Sequence, residues 1–374
     1  MTQEQKIGII IDEDFAKKHA PPYPRPMFLS FETPLRIKVI LDCMDREGIW
    51  KDDRIIKIKP KIISDDLLKL AHTTYYIESI KRLSKIGGGL LGDEVYVTGD
   101  TYELAKKAAG GAIVAIEQVI QKQVNQAFAI VRPPGHHALR EMGSGLCIFN
   151  NIAISILYLR KILKYEKKIA IIDIDDHFGD GLVQYFYDDP SVLYFSVHEF
   201  DFVEGDIGFV NELGEKEGIG KSINFPIPYG ITDEDFLEFM EVLEPILYQF
   251  TPDLIIVATG FDMHFDDTIG NCFLTSRSYY NFAQRILKIA EDVCGGKVAF
   301  ILEGGYSLMG LPLCANAVLK ALLKEKYEQP SVEMNSLTMK SKTIKIEIEK
   351  IKNALFSLLQ DYWNFNVSKK TSEI

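Results

Sequence analysis

Three stretches bring acids or imidazoles to the end of an apolar run: Arg132-Pro133-Pro134-Gly135-His136-His137-Ala138, Asp173-Ile174-Asp175-Asp176-His177, and Gly260-Phe261-Asp262. The first offers two adjacent histidines, the second alternates metal-ligand types, and the third adds a carboxylate. Together they are the parts of a mononuclear metallohydrolase: protein ligands, an open coordination position and a base beside it. Side chains alternate along an extended chain, so residues 173, 175 and 177 share one side and Asp176 is expected to face away. Asp175 and His177 can then face one ion, with Asp262 completing the set from a neighbouring strand end. A His/Asp/Asp site suits zinc, or ferrous iron, which accepts similar ligands.

His136-His137 follow a Pro-Pro-Gly turn that stiffens the backbone and can present both rings. Imidazole titrates near neutrality and so serves as acid and base. Each ring needs an orienting acceptor, and Asp173 and Asp180 are the carboxylates at hand in the second segment. Glu303-Gly304-Gly305-Tyr306 follows another apolar run, and its glycines can swing the Tyr306 phenol toward a developing oxyanion.

The elements that must position these residues alternate. Short Ile/Val-rich runs at Ile7–Ile11, Ala127–Val131, Ile169–Ile172, Val192–Val197, Leu254–Ala258 and Val298–Leu302 read as strands covered on both faces. Helical patterns occupy Thr101–Gln123, Ile152–Lys164, Asp233–Gln249, Ser276–Asp292 and Leu311–Lys324. Such alternation predicts a parallel sheet between helix layers, with ligands beyond the carboxyl ends of its strands. The chemistry-bearing residues fall there: after the strands ending near Val131, Ile172, Ala258 and Leu302, and at Ser196–His198.

Composition bounds the rest. A net charge of −11 over 374 residues argues against nucleic acid as a direct partner. Five scattered cysteines without C-x-x-C spacing read as reduced thiols. The start MTQEQKIGII lacks the pattern of a signal peptide, and no long apolar run can span a membrane, so a cytoplasmic protein is expected. Residues 1–324 read as one catalytic domain. Residues 325–374 read as a linker (Glu325–Lys342) and an amphipathic helix (Ile344–Trp363) packing on or extending it. Oligomerisation is left open.

With these pieces in hand, the chain resembles the zinc-dependent histone deacetylase-like amidohydrolases of the arginase/deacetylase superfamily, relatives of the acetylpolyamine amidohydrolases and acetoin-utilization proteins. The resemblance runs from about His19 to about Leu323 and rests on RPPGHHA (132–138), GSGLCIFNN (143–151), DIDDHFGDG (173–181), FSVHEF (195–200), NFPIP (224–228), TGFD (259–262) and EGGY (303–306). It implies a three-layer α/β/α fold with a mainly parallel sheet of about eight strands. It also implies hydrolysis of a linear, non-peptide amide: an acetyl or related acyl group leaves an acylated lysine of a protein or peptide, or an acylated small amine. The implied mechanism combines metal-activated water, histidine acid–base catalysis and tyrosine stabilisation of the oxyanion.

By position, the resemblance makes Asp175, His177 and Asp262 the zinc ligands. His137 becomes the principal base and acid and His136 its electrostatic partner, with Asp180 and Asp173 as their respective carboxylates. Tyr306 polarises the carbonyl. The Gly145 carbonyl accepts from the substrate amide, and Arg36 stands by an acetate-release channel. Asp173, Asp175, His177, Ser196 and Val197 resemble a structural potassium site. Leu146 replaces the family's usual tunnel aromatic, with Phe202 as the opposite wall. Ile269 stands at the rim where polyamine-selective relatives can carry Glu, which counts against the alternative of an acetylpolyamine amidohydrolase. A binuclear ureohydrolase is the more distant alternative. Phe178 and Thr268 replace a frequent His and Pro.

Overall fold

The computed structural model describes residues 5–21, 31–91, 95–333 and 342–365. Eight strands form one sheet in the order β2-β1-β5-β10-β9-β6-β7-β8. They are β1 (Ile7–Ile10), β2 (Ile55–Ile58), β5 (Gln126–Ala129), β6 (Ile169–Asp173), β7 (Val192–Glu199), β8 (Ser222–Ile227), β9 (Leu254–Thr259) and β10 (Val298–Leu302), and every neighbouring pair is parallel. A separate antiparallel hairpin joins β3 (Gly88–Leu91) to β4 (Val95–Thr98). Every residue of β5, β6, β9 and β10 is buried, as covering by helices on both faces demands.

The six runs expected as strands all lie in this sheet. The two outermost strands carried weaker signals. β2 is half-exposed and contains Lys57, while β8 contains Pro226, which a sheet tolerates at an edge where no ladder donor is needed. Ser196–His198 lie within β7 rather than beyond it, because that strand runs on to Glu199. The helix expected over Asp233–Gln249 is broken into Asp233–Phe236, a 3₁₀ turn at Leu237–Phe239, and Met240–Phe250. The tighter turn aligns residues three apart, and Phe236 and Phe239 are both buried.

Register decides which strand ends meet. Asp173 pairs with Ser196 on one side and Ala258 on the other, while Leu302 pairs with Thr259 and Ala129 with Ile301. The segments after β5, β10, β9 and β6 therefore emerge side by side along one edge of the sheet.

The C-terminal helix, Lys342–Leu359, buries Ile348, Ile351, Leu355 and Leu359 against the main core. Trp363 follows it and donates from Nε1 to the Gly220 carbonyl at 2.8 Å. The segment before it is not a free linker: Glu333 is fully buried and accepts from His264 Nε2 at 2.9 Å and from the Ser276 amide and hydroxyl. A carboxylate that finds such donors can be buried, which a charged sequence pattern does not reveal. The remainder of the expected linker, 334–341, lies outside the described residues. No helix among the described residues is long and apolar enough to cross a membrane. All five cysteines are free and buried.

One buried ion pair ties the N-terminal segment to the end of β5. Arg132 donates to both Glu32 oxygens at 2.8 and 2.7 Å, and to the carbonyls of Phe15, Lys18 and His19 at 3.1, 2.6 and 2.6 Å. Burial would raise the Glu32 carboxyl, but Arg132 and His19 hold it well below the carboxylate range. Arg132→Met leaves Glu32 only Arg36 and His19 as cationic partners, and takes one donor from each of three carbonyls, of which that of His19 keeps Tyr96. Urea denaturation should show a loss of about 3–5 kcal/mol, and an unchanged midpoint would refute the role given to the pair.

Candidate metal centre and active site

Asp175, His177 and Asp262 each offer one ligand atom within 4.8 Å of the others. His177 Nδ1 lies 3.3 Å from Asp175 Oδ1 and 3.5 Å from Asp262 Oδ2. The opposite oxygens are held by backbone: Gly304 N–H donates to Asp175 Oδ2 at 2.8 Å, and Asp176 N–H to Asp262 Oδ1 at 3.0 Å. Asp262 Oδ2 is buried and accepts no hydrogen bond from the described residues. Burial and the charge of Asp175 push the Asp262 carboxyl up. Burial acts on Asp175 in the same sense, but His136 and His177 outweigh it and hold that carboxyl low. An orphaned carboxylate oxygen facing an imidazole and a second acid is the arrangement a divalent cation resolves, and one nitrogen with two carboxylates fits zinc. The His177 side chain is 39% exposed, so the group opens to one side.

The histidine pair borders this group. His136 Nε2 is 3.5 Å from Asp175 Oδ1, and its Nδ1 is 3.3 Å from Asp173 Oδ2. His137 Nδ1 is 2.8 Å from Asp180 Oδ1, and the two rings are 4.0 Å apart between centroids. Their environments separate them. Burial disfavours charge on His136, but Asp175 and Asp173 prevail and push it up to about 10. For His137, burial and the neighbouring His136 hold the imidazole below its usual value despite Asp180. Two adjacent imidazoles are thus shifted in opposite directions.

Two acids absent from the expected site residues, Glu303 fully buried and Asp267 partly so, position these parts. Glu303 Oε2 accepts from the amides of Gly135 and His136 at 2.6 and 3.1 Å, fixing the turn that presents the histidines. Burial pushes Glu303 up to about 7, against the pull of His136. Asp267 Oδ2 accepts from the amides of Tyr306 and Ser307 at 2.6 and 2.9 Å, and its Oδ1 from Ile269 at 3.2 Å. The only sequence sign of either was an acid near a ligand or a turn, which does not distinguish a buried acceptor from a surface one.

Arg36 is fully buried and donates to the carbonyls of Glu303 and Gly305 at 2.6 and 2.7 Å, with its guanidinium 4.6 Å over the Tyr306 ring. It therefore braces the turn that carries the phenol. Burial raises the Tyr306 phenol well above its usual range, with Arg36 opposing, so at neutral pH Tyr306 is a hydrogen-bond donor.

Leu146 is buried in a small apolar cluster with Tyr96, and Ile269 and Tyr306 pack against it. Leu146 stands at φ +66°, a left-handed conformation that costs about 1–3 kcal/mol for a residue with a side chain. The preceding Gly145 has φ +49°, and a Cβ there would lie 2.3 Å from His137 Cδ2, so only glycine lets this segment approach His137. Phe202 is 42% exposed and lies beside Phe200 and Phe209, at centroid distances of 5.0 and 6.4 Å. Ser196 and Val197 lie on β7 beside the end of β6, and Tyr194 OH donates to Asp173 Oδ2 at 3.1 Å. Asp176 is grouped with Glu199 and Cys272 rather than with the His/Asp/Asp set, and it is buried.

Comparison with known proteins gives the family and the fold. Residues 30–322 match the histone deacetylase domain. Over 319 residues the chain is 35% identical to the "Probable deacetylase" of Archaeoglobus fulgidus, covering 84% of this chain and 86% of that protein. It is 32% identical over 294 residues to the "Histone deacetylase-like amidohydrolase" of Pseudomonas aeruginosa, covering 78% and 76%. The crystal structure of the HDA15 HD domain superposes with a TM-score of 0.82 at 28% identity, covering 96% of this chain and 95% of that one. Several eukaryotic relatives are longer, and the chain spans about a third to a half of their length. The chain belongs to the histone deacetylase family. Its fold is the α/β arginase/deacetylase fold, and its class is that of metal-dependent, deacetylase-type hydrolases.

Proposed function

We propose that this protein removes an acetyl or related acyl group from an acylated primary amine, the acyl-lysine side chain of a protein or peptide. The supporting observation is the convergence of the Asp175/His177/Asp262 group with a base, His137, whose Nδ1 is held by Asp180. Asp175, His177 and Asp262 would hold zinc, which when bound acidifies a water toward a pKa of about 7 and polarises a carbonyl. His137, neutral at pH 7, accepts the proton of the attacking water and returns it to the leaving amine, while Asp180 keeps Nδ1 engaged and Nε2 free. His136 sets the local charge. Tyr306 donates its hydroxyl to the developing oxyanion, held in place by Arg36 and Asp267. The Gly145 carbonyl would accept from the substrate amide, with Leu146, Ile269 and Phe202 flanking the aliphatic stem. Asp173, Asp175, His177, Ser196 and Val197 would supply a potassium ion with mainly backbone oxygens.

Ile269 offers no charge to a second amine, which supports acyl-lysine over an acetylpolyamine. The ureohydrolase alternative needs acids shared between two ions, and it gains no support: Asp173 is engaged by His136, Tyr194 and the Asp175 amide, and Asp176 is grouped with Glu199 and Cys272. The test is a turnover screen of zinc-loaded chain against acyl-lysine peptides and acetylated polyamines. Greater kcat/KM on the peptides is expected, whereas turnover confined to polyamines would overturn the substrate assignment.

A further inference from the structure

A second convergence of metal-ligating side chains involves residues with no part in the steps above. Asp176, Glu199 and Cys272 each place a ligand atom within 4.8 Å of the other two. They come from different segments: the loop after β6, the end of β7, and the loop that follows Asp262. Asp176 is 1% exposed, and neither of its carboxylate oxygens accepts a hydrogen bond from the described residues. A buried carboxylate without donors is unfavourable unless it takes up a proton or pairs with a cation.

The neighbours of Asp176 are built to converge on it. The Glu199 amide donates to the Asp176 carbonyl at 2.8 Å, which ties the two segments together. The Glu199 carboxylate is held by the Asn271 amide at 2.8 Å and by Asn271 Nδ2 at 3.0 Å. Cys272, 2% exposed, donates from Sγ to Glu199 Oε1 at 3.2 Å. Gly270 permits the close approach, since a Cβ there would stand 2.8 Å from Asp176 Oδ2. Glu199 is only half-buried, which leaves the group a route to solvent.

We propose that Asp176, Glu199 and Cys272 hold a second divalent ion of the zinc class, separate from the one assigned to Asp175, His177 and Asp262. A sulfur donor among two carboxylates selects a borderline transition ion over magnesium or calcium. The Cys272 thiol proton passes to solvent as sulfur binds, and water completes the coordination. The two ligand sets share no residue, so this ion takes no part in hydrolysis as a bridging partner. It would instead cross-link β6 and β7 to the loop that carries Asp267 and Ile269, and so brace the rim of the site.

Cobalt distinguishes the two sites, because the first offers no sulfur. The full chain is stripped with chelator and titrated with Co²⁺, following metal content and the thiolate-to-cobalt charge-transfer absorption in the near ultraviolet. Two ions per chain and a sulfur band are expected. Cys272→Ser should abolish the band and one ion while turnover persists. Glu199→Gln, at a half-exposed position, should weaken the same band should the serine variant fold poorly. Asp175→Ala should lose the other ion and turnover but keep the band. A wild-type chain saturated with cobalt yet lacking the band, or a band that survives Cys272→Ser, overturns the proposal. A chain that shows the band but hydrolyses no acylated amine would instead sink the deacetylase assignment and leave this site standing.

Discussion

Replacing His137 with alanine is expected to lower kcat on an acetyl-lysine peptide by about 10²–10⁴-fold, the usual contribution of a positioned acid–base group. Zinc should remain bound, since His137 lies outside the Asp175/His177/Asp262 set. The pH profile of the wild type carries the same assignment. A base must be neutral to accept a proton, and burial together with His136 holds His137 below the ordinary imidazole value. The acid limb of kcat/KM should therefore fall below the ordinary imidazole pKa of about 6.5. Activity persists as pH drops from neutral and is lost only when pH passes through the depressed value. Steady-state kinetics across pH, with metal content measured on each variant, checks both claims. An alanine variant with undiminished kcat would remove His137 from the chemistry.

Tyr306→Phe should cost about 10²–10³-fold in kcat, the effect of deleting one oxyanion donor. The ring itself remains, so its packing against Leu146 and its stacking with Arg36 are kept. Substrate binding should change little, which places the loss in kcat rather than KM. Arg36 and Asp267 act on this residue through backbone, one binding the carbonyls on either side of Gly304 and the other the Tyr306 amide. A phenylalanine variant that turned over at the wild-type rate would show that the phenol is merely packed there.

Much of this was legible along the chain because metal and acid–base chemistry restricts residue type. Only a few side chains bind zinc or titrate near neutrality, so His136-His137, Asp175, His177 and Asp262 stood out. The period-two alternation of an extended segment separates Asp175 and His177 from Asp176. The central strands were equally plain, since burial on both faces leaves nearly continuous Ile, Val and Ala. The edge strands β2 and β8 were not: half-exposure and an internal proline erase the pattern by which buried strands are recognised.

Long-range pairing decided the rest. No local pattern marks Glu303 as the acceptor for the amides of Gly135 and His136, residues more than 160 positions away in the chain. The same holds for Asp267 beneath Tyr306 and for Glu333 buried against His264. An acid's role depends on which donors meet it, and those are fixed by the register of β5, β10, β9 and β6. Asp176 shows the division most clearly. Sequence periodicity set it apart from the first metal group, but only the fold could bring Glu199 and Cys272 to meet it, because burial and convergence are properties of packed segments.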